Sequence, residues 1–261
     1  FVQEKAMKFC KQQELQKVMT KAQKIIDKGD FESYDHLEEM VREALQVGEV
    51  DTGTADVFFN LDEVLDDDFR HPIPIGITGI DNLLKGGLAK GEIGVILAPT
   101  GVGKTTVLSK IANNAFNLGY NVLQIFFEDN PKIIQRKHFT MWTKIAPDNL
   151  SLQREEVLEK VRQIKENASN RLILKKLPSD TLTMNQIKNQ IRKMIAEGTK
   201  IDLVVVDYID CIVPDKNLGD EWKSEGSVMR GFESMCHELN LVGWTATQGN
   251  RSSISSDVVT T

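Results

Sequence analysis

Apolar residues recur along this chain at two different spacings. Near the start, Leu15, Val18, Met19, Ala22, Ile25 and Ile26 fall on one face at the helical period. Gly29-Asp30 interrupts that pattern. A second amphipathic stretch follows, with Tyr34, Leu37, Met40, Val41, Ala44 and Leu45 on one face, and ends near Gly48. Two short amphipathic helices cannot bury both stripes alone. They must pack on each other, on the rest of the chain, or on a neighbouring copy, so residues 1–48 read as a small helical hairpin. Residues 49–75 then read as a linker. Asp62, Glu63, Asp66, Asp67 and Asp68 crowd it, and His71-Pro72-Ile73-Pro74 stiffens it into an extended strap without chemistry.

From Gly76 onward, over residues 76–261, short apolar runs alternate with helical patterns. Buried strands are expected at Ile93–Leu97, Asn121–Phe127, Arg171–Lys175, Asp202–Asp207 and Leu241–Ala246. Helices are expected at Val102–Leu118 and near 131–146, 154–167, 183–197 and 225–240. Continuous apolar strands separated by helices predict an α/β fold with a mostly parallel sheet covered on both faces. Right-handed crossovers then gather the loops after the strand C-termini along one edge, where ligands bind.

The chain has 261 residues, 41% hydrophobic and 27% charged, which suits one sizeable core with a small appendage. No apolar run reaches the length of a membrane span and no secretory leader is visible. A start at Phe1 and an end at Thr261, soon after the last strand, suggest a piece of a longer protein. Cys10, Cys211 and Cys236 are odd in number and unpaired in spacing, so they read as reduced thiols of a cytosolic protein. His36, His71, His138 and His237 are scattered and outline no zinc cluster. A net charge of −6 argues against a uniformly basic surface. It leaves room for a local strip of Lys and Arg inside a ring.

The densest chemistry lies at Ala98-Pro99-Thr100-Gly101-Val102-Gly103-Lys104-Thr105-Thr106, which follows a strand and opens a helix. That is the context of a phosphate-binding loop. Gly101 and Gly103 let the backbone curl, and its amides with the helix N-terminus make an anion nest. Lys104 supplies a point charge for the β- and γ-phosphates, and the Thr105 hydroxyl suits Mg²⁺. The first glycine of the usual pattern is Ala98 here.

Leu203-Val204-Val205-Val206-Asp207 places a carboxylate at the end of a buried strand, where a phosphate-loop protein holds its magnesium. Asp210 is the nearby rival, set past the strand end. Glu128 follows a strand expected to lie beside the phosphate-loop strand, and can orient or deprotonate an attacking water. Asp129 is its competitor, and an exposed acidic turn is the plainer alternative. Gln248, after the last strand, can hydrogen-bond a γ-phosphate and report its loss to the following loop. A polar turn is the alternative there. The stretch from Pro214 to Lys223 is polar and irregular, so it reads as a loop on the ligand edge. Lys216 and Lys223 are its cations and Arg251 opens a second candidate loop; both make candidate DNA-phosphate contacts, against a solvated loop bearing Asp215, Asp220 and Glu221.

Gly76-Ile77-Thr78-Gly79-Ile80-Asp81-Asn82-Leu83 and Gly86-Gly87-Leu88 match the entry shared by RecA-like ATPases, including the KaiC and RadA groups. More specific are Val206-Asp207-Tyr208, Glu128 after an aromatic strand end, and Glu238-Leu239-Asn240 leading to Gln248-Gly249-Asn250-Arg251. On these motifs, the stretch from Gly76 to Arg251 resembles the ATPase domain of DnaB-like replicative helicases, most of all those of tailed bacteriophages. The resemblance implies a RecA-like core using ATP and Mg²⁺. Lys104 and Thr105 would hold phosphate and magnesium, Asp207 would be the second magnesium residue, Glu128 would activate water and Gln248 would couple. It implies a homo-hexameric ring around single-stranded DNA, with ATP between subunits and an arginine in trans from beyond residue 261. Primase and a helicase loader are further partners it implies, in a bacterial cytoplasm and in a phage-encoded protein, with no membrane. The two N-terminal helices loosely resemble the end of a collar domain and its linker helix. A RecA-like ATPase of recombination or regulation that does not unwind is the alternative, and an inactive ring subunit is a third reading.

Overall fold

The chain divides into two compact units, Phe1–Asp67 and Asp68–Thr261. A computed structural model describes residues 12, 15–23 and 25 of the first unit, and 70–215 and 221–248 of the second, with side chains from 226 onward in the last stretch. In the first unit residues 15–23 are helical. Val18 and Ala22, one turn apart, are buried, whereas Met19 is 62% exposed. The apolar stripe is therefore narrower than the sequence pattern suggests. The second helical stretch expected at 34–45 lies outside the described residues.

The second unit alternates strand and helix as its apolar runs require. Its elements are α1 (Thr78–Leu83), β1 (Ile93–Ala98), α2 (Lys104–Asn117), β2 (Val122–Phe126), α3 (Pro131–Thr143), α4 (Arg154–Asn167), β3 (Leu172–Lys176), α5 (Met184–Ala196), β4 (Leu203–Asp207), α6 (Glu221–Glu238) and β5 (Val242–Gln248). Local chemistry sets several boundaries. The Asn130 side chain accepts from Lys132 N and Pro131 takes the first helical position of α3. Thr183 and Gln186 form a reciprocal capping box at the start of α5. The Asp81 carboxylate accepts the backbone N–H groups of Ile75, Gly76 and Ile77, at 2.8, 3.0 and 3.1 Å, and so shapes the entry turn.

The strands form one parallel sheet in the order β1-β5-β4-β2-β3. Two sequence expectations are corrected here. The strand leading to Glu128 does not lie beside the phosphate-loop strand: β5 and β4 stand between them, because the last strand inserts next to β1. Nor is β1 buried on both faces. It is an edge strand of the described sheet, and Val95 and Leu97 are 41% and 52% exposed.

Strand alternation sorts the apolar side chains into two layers. Val204 and Val206 of β4 pack with Leu123 and Ile125 against Ile187 and Ile191 of α5 and Phe232 and Met235 of α6. Leu203 and Val205 pack with Val242, Trp244 and Ala246 against Leu108, Ile111, Ala112 and Ala115 of α2. Ile73 and Ile75, at the tail of the expected linker, belong to this second layer and are 2% and 1% exposed. The Ile73–Leu88 bridge fastens them, so the strap is built into the core from there on.

A polar chain crosses the same layer. Gln124 in β2 is fully buried. Its amide nitrogen donates to Ser109 Oγ at 3.0 Å and its oxygen pairs with His138 Nε2 at 2.9 Å. His138 Nδ1 pairs with Asn113 Nδ2 at 3.3 Å, and Asn117 links Asn113 to Trp142. These partners select the neutral tautomer in which Nε2–H donates to Gln124 and Nδ1 accepts from Asn113. A second ring proton would face the Asn113 amide donors. Burial pushes the His138 pKa down from 6.5 to about 4.

Because the unfolded chain takes up that proton first, the stabilisation is complete above pH 6.5 and is lost as pH falls through about 4. The loss should amount to about 3 kcal/mol for this group. Urea unfolding measured between pH 4 and 7 should therefore fall more steeply for the unsubstituted protein than for His138→Gln. Parallel pH profiles would contradict the buried neutral assignment.

Candidate active site

The parallel strands bring their C-terminal ends to one edge in register, with Ala98 opposite Gln248 and Asp207 opposite Phe126. After β1 the chain turns through Pro99, Thr100, Gly101, Val102 and Gly103 into α2. Gly101 and Gly103 have φ of 86° and 99°, and a Cβ at either would meet nothing within 4 Å. The backbone angle, not space, therefore calls for glycine at both. Gly103 is the N-cap of α2, so the first-turn amides of Lys104, Thr105 and Thr106 open toward the loop. Lys104 is only 8% exposed. Its Nζ donates to Ala98 O at 2.9 Å and Pro99 O at 3.3 Å, and lies 5.6 Å from the centroid of the Tyr208 ring.

Asp207 is buried at the tip of β4, and its Oδ1 has no hydrogen-bond partner. The Thr105 hydroxyl bonds the same carboxyl group. Burial raises the Asp207 pKa, and the nearby Asp129 and Glu128 raise it further, against the Thr105 bond and the Lys137 ammonium. The two residues expected to serve magnesium are thus in contact, and one carboxylate oxygen is left without a donor. Among the described residues no group of three or more His, Cys, Asp or Glu could hold a metal. One carboxylate plus one hydroxyl fits Mg²⁺, which keeps several waters and takes its remaining ligands from substrate phosphates.

Glu128 and Asp129 differ in their partners. Glu128 Oε1 accepts from the Tyr208 hydroxyl at 3.0 Å, and Tyr208 also carries Lys104 over its ring. Lys176 Nζ donates to the Glu128 carbonyl at 3.3 Å. Asp129 pairs with Lys137 of α3 at 3.5 Å. One tyrosine therefore joins the phosphate lysine to the Glu128 carboxylate, while Asp129 has a cation of its own. Burial and the Glu128 contact raise the Tyr208 pKa, so its hydroxyl stays a donor.

Gln248 ends β5 beside the loop, and its Oε1 accepts from Thr100 Oγ1 at 3.2 Å. Asp210 does not turn toward Asp207. Its Oδ1 accepts from Thr247 Oγ1 at 2.7 Å and its Oδ2 from Gln248 N at 2.8 Å, so it belongs to the tip of β5. Sequence reasoning missed Tyr208, Lys137 and this use of Asp210. The Asp-Tyr pair was a visible signal, whereas nothing in the spacing marks Lys137. The expected loop at 214–223 is shorter than supposed, because α6 begins at Glu221 and includes Lys223. Lys216, the Lys223 side chain and Arg251 lie outside the described residues. A groove of about 680 Å³ lined by Phe116, Trp142, Lys160 and Asn170 sits at the far end of α2 and holds none of these site residues.

A model of the DnaB-like helicase C terminal domain matches residues 72–256. The chain belongs to that family. It is 24% identical over 198 residues to the DnaB-like replicative helicase of Enterobacteria phage T4, covering 71% of this chain and 41% of that protein. It is 25% identical over 189 residues to the replicative DNA helicase DnaB of Buchnera aphidicola subsp. Baizongia pistaciae (strain Bp), covering 68% and 40%. The chain thus spans about two fifths of the length of these curated relatives.

Among solved structures it resembles an isolated ATPase domain, with a TM-score of 0.59, 19% identity, and coverage of 71% of this chain and 66% of that one. It also resembles a DnaB-like replicative helicase determined with its primase interactions, with a TM-score of 0.67, 19% identity, and coverage of 93% and 59%. These likenesses establish the RecA-like α/β fold of this DnaB-family domain. The buried Asp207 charge carries a cost that a family member keeps only for its chemistry. Asp207→Asn should therefore raise stability by about 1 kcal/mol, or roughly 2–4 °C in Tm, in metal-free buffer. Thermal melting checks this, and a lower Tm would mean that the carboxylate is structurally satisfied.

Proposed function

We propose that this domain is the ATP-hydrolysing motor of a replicative DNA helicase that works as a homo-hexamer on single-stranded DNA. The contact of Thr105 with the partnerless Asp207 carboxylate carries the reading, since it assembles a magnesium–nucleotide site from two distant motifs. Lys104 then meets the β- and γ-phosphates and the α2 N-terminus holds their charge. Magnesium, when bound between Thr105 and Asp207, neutralises charge on the phosphates. Glu128 orients water and takes its proton, a role supported over Asp129 by the Tyr208 bridge to Lys104. Tyr208 donates to that carboxylate and fixes its direction. Gln248, beside Thr100, contacts the γ-phosphate and passes its loss to the segment that follows.

The remaining parts of the reading rest on family membership. ATP sits between subunits, an arginine from the neighbouring copy completes the site, and the helices of 1–48 dock on the adjacent subunit. Lys216, Lys223 and Arg251 are the proposed contacts to DNA phosphates. Primase and a helicase loader are the proposed protein partners, in the cytoplasm of a bacterium and from a phage genome. No described helix is long and apolar enough to cross a membrane.

Steady-state ATPase with Mg²⁺ and single-stranded DNA tests the motor. Lys104→Ala should abolish turnover. Glu128→Gln should keep nucleotide binding and lose on the order of 10²-fold or more in kcat, while Asp129→Asn stays within severalfold of the unsubstituted protein. An exchange of the last two results would make Asp129 the base. Unwinding of a forked duplex by the full-length protein tests the helicase assignment. Strand exchange without unwinding would favour a recombination ATPase instead.

A further inference from the structure

Beyond Thr245, β5 has lost its neighbour on one side. The β4–β5 ladder runs from Leu203 opposite Val242 to Val206 opposite Thr245 and stops there. The other side remains paired to β1 as far as Ala98 opposite Gln248. The tip of β5 would thus be held from one side only, at the point where it presents Gln248 to the phosphate loop. Asp210 takes up the missing side. Its carboxylate accepts from the Thr247 hydroxyl and from the Gln248 backbone N–H, one donor on each oxygen. Charge-assisted bonds of this length are the stronger kind.

The platform under Asp210 is rigid. It lies in a short turn, Ile209–Cys211, whose flanking Ile209, Cys211 and Ile212 are buried at 4%, 6% and 4% exposure. Cys211 O accepts from Asp180 N, and Val213 bridges to Thr183. A carboxylate fits where an amide does not. Two donors converge on it, and an asparagine would turn its NH₂ toward one of them.

We infer that Asp210 is a positioning residue for Gln248, fixing the sensor amide against Thr100 and the γ-phosphate edge. This rests on the role of Gln248 proposed above. Asp210 itself touches neither nucleotide nor metal. The same clamp joins the turn after Asp207 to the strand that leads into the segment after Gln248, so displacement of either side is felt by the other.

The test is a double-mutant cycle in the full-length protein, read as DNA-stimulated kcat, with KM for ATP and Tm in parallel. Asp210→Ala should lower kcat on the order of tenfold and leave KM within about twofold, since uniform ground-state binding is untouched. Asp210→Asn should fall between, and Thr247→Val, which spares the Gln248 bond, should fall least. In a Gln248→Ala background the loss from Asp210→Ala should vanish, because a residue acting through another has nothing left to position. Damage to the fold would instead lower both backgrounds equally, and equal losses overturn the inference. If Asp210→Ala does not fold, Thr247→Val carries the same cycle. Additive losses beside an impaired Gln248→Ala overturn only the role of Asp210. A Gln248→Ala protein with unchanged turnover overturns the coupling role and this inference together.

Discussion

A carboxylate oxygen of Asp207 lies buried without a donor, and the rest of the site is arranged around it. Water and protein amides normally satisfy a buried charge, and leaving one unmet costs several kcal/mol. The sheet places this one at the tip of a strand that is buried along its whole length. Asp129 and Glu128 sit close enough to add repulsion, and Lys137 and the Thr105 hydroxyl offset only part of it. Such a cluster is electrostatically incomplete without a cation. The lysine of the phosphate loop does not supply it, because Lys104 points its ammonium at Ala98 O and Pro99 O and over Tyr208.

Sheet order decides which groups can meet. With β5 inserted between β1 and β4, Gln248 adjoins the phosphate loop, and Glu128 stands on the far side of Asp207. Tyr208 spans that distance, reaching Lys104 with its ring and Glu128 with its hydroxyl. Behind this edge the Ser109–Gln124–His138–Asn113 chain fixes α2, β2 and α3 relative to one another. Every buried polar group in that chain has a partner, so it specifies a register that apolar packing alone would leave looser. The helix opening at Lys104, the strand leading to Glu128 and the helix bearing Lys137 are thereby held as one frame.

Much of this was legible in the sequence, for identifiable reasons. Unbroken apolar runs such as Leu203–Val206 admit only a strand buried on both faces, and β4 is one. The phosphate loop is local, so its residues and its chemistry read together. Asp207 and Thr105 are far apart in sequence, but a parallel sheet brings strand ends together whatever their separation, and they meet as expected. Neighbour order was not legible, because every strand has the same apolar character and nothing local says that β5 inserts beside β1. The same gap hid Asp210, whose partners Thr247 and Gln248 arrive from that inserted strand. Lys137 was missed because a lysine on an exposed-looking helix becomes informative only when its charge is found beside Asp207 and Asp129.

The central claim is that Thr105 and Asp207, rather than Asp210 or Asp129, form the cation site of this domain. A structure of the full-length protein with Mg²⁺ and a non-hydrolysable ATP analogue tests it most directly. The account predicts the metal beside Thr105 Oγ1 and the Asp207 Oδ1 side of the carboxylate, with Asp210 still clamped to Thr247 and Gln248. A cation coordinated by Asp210 or Asp129, with Asp207 remote from it, would contradict it.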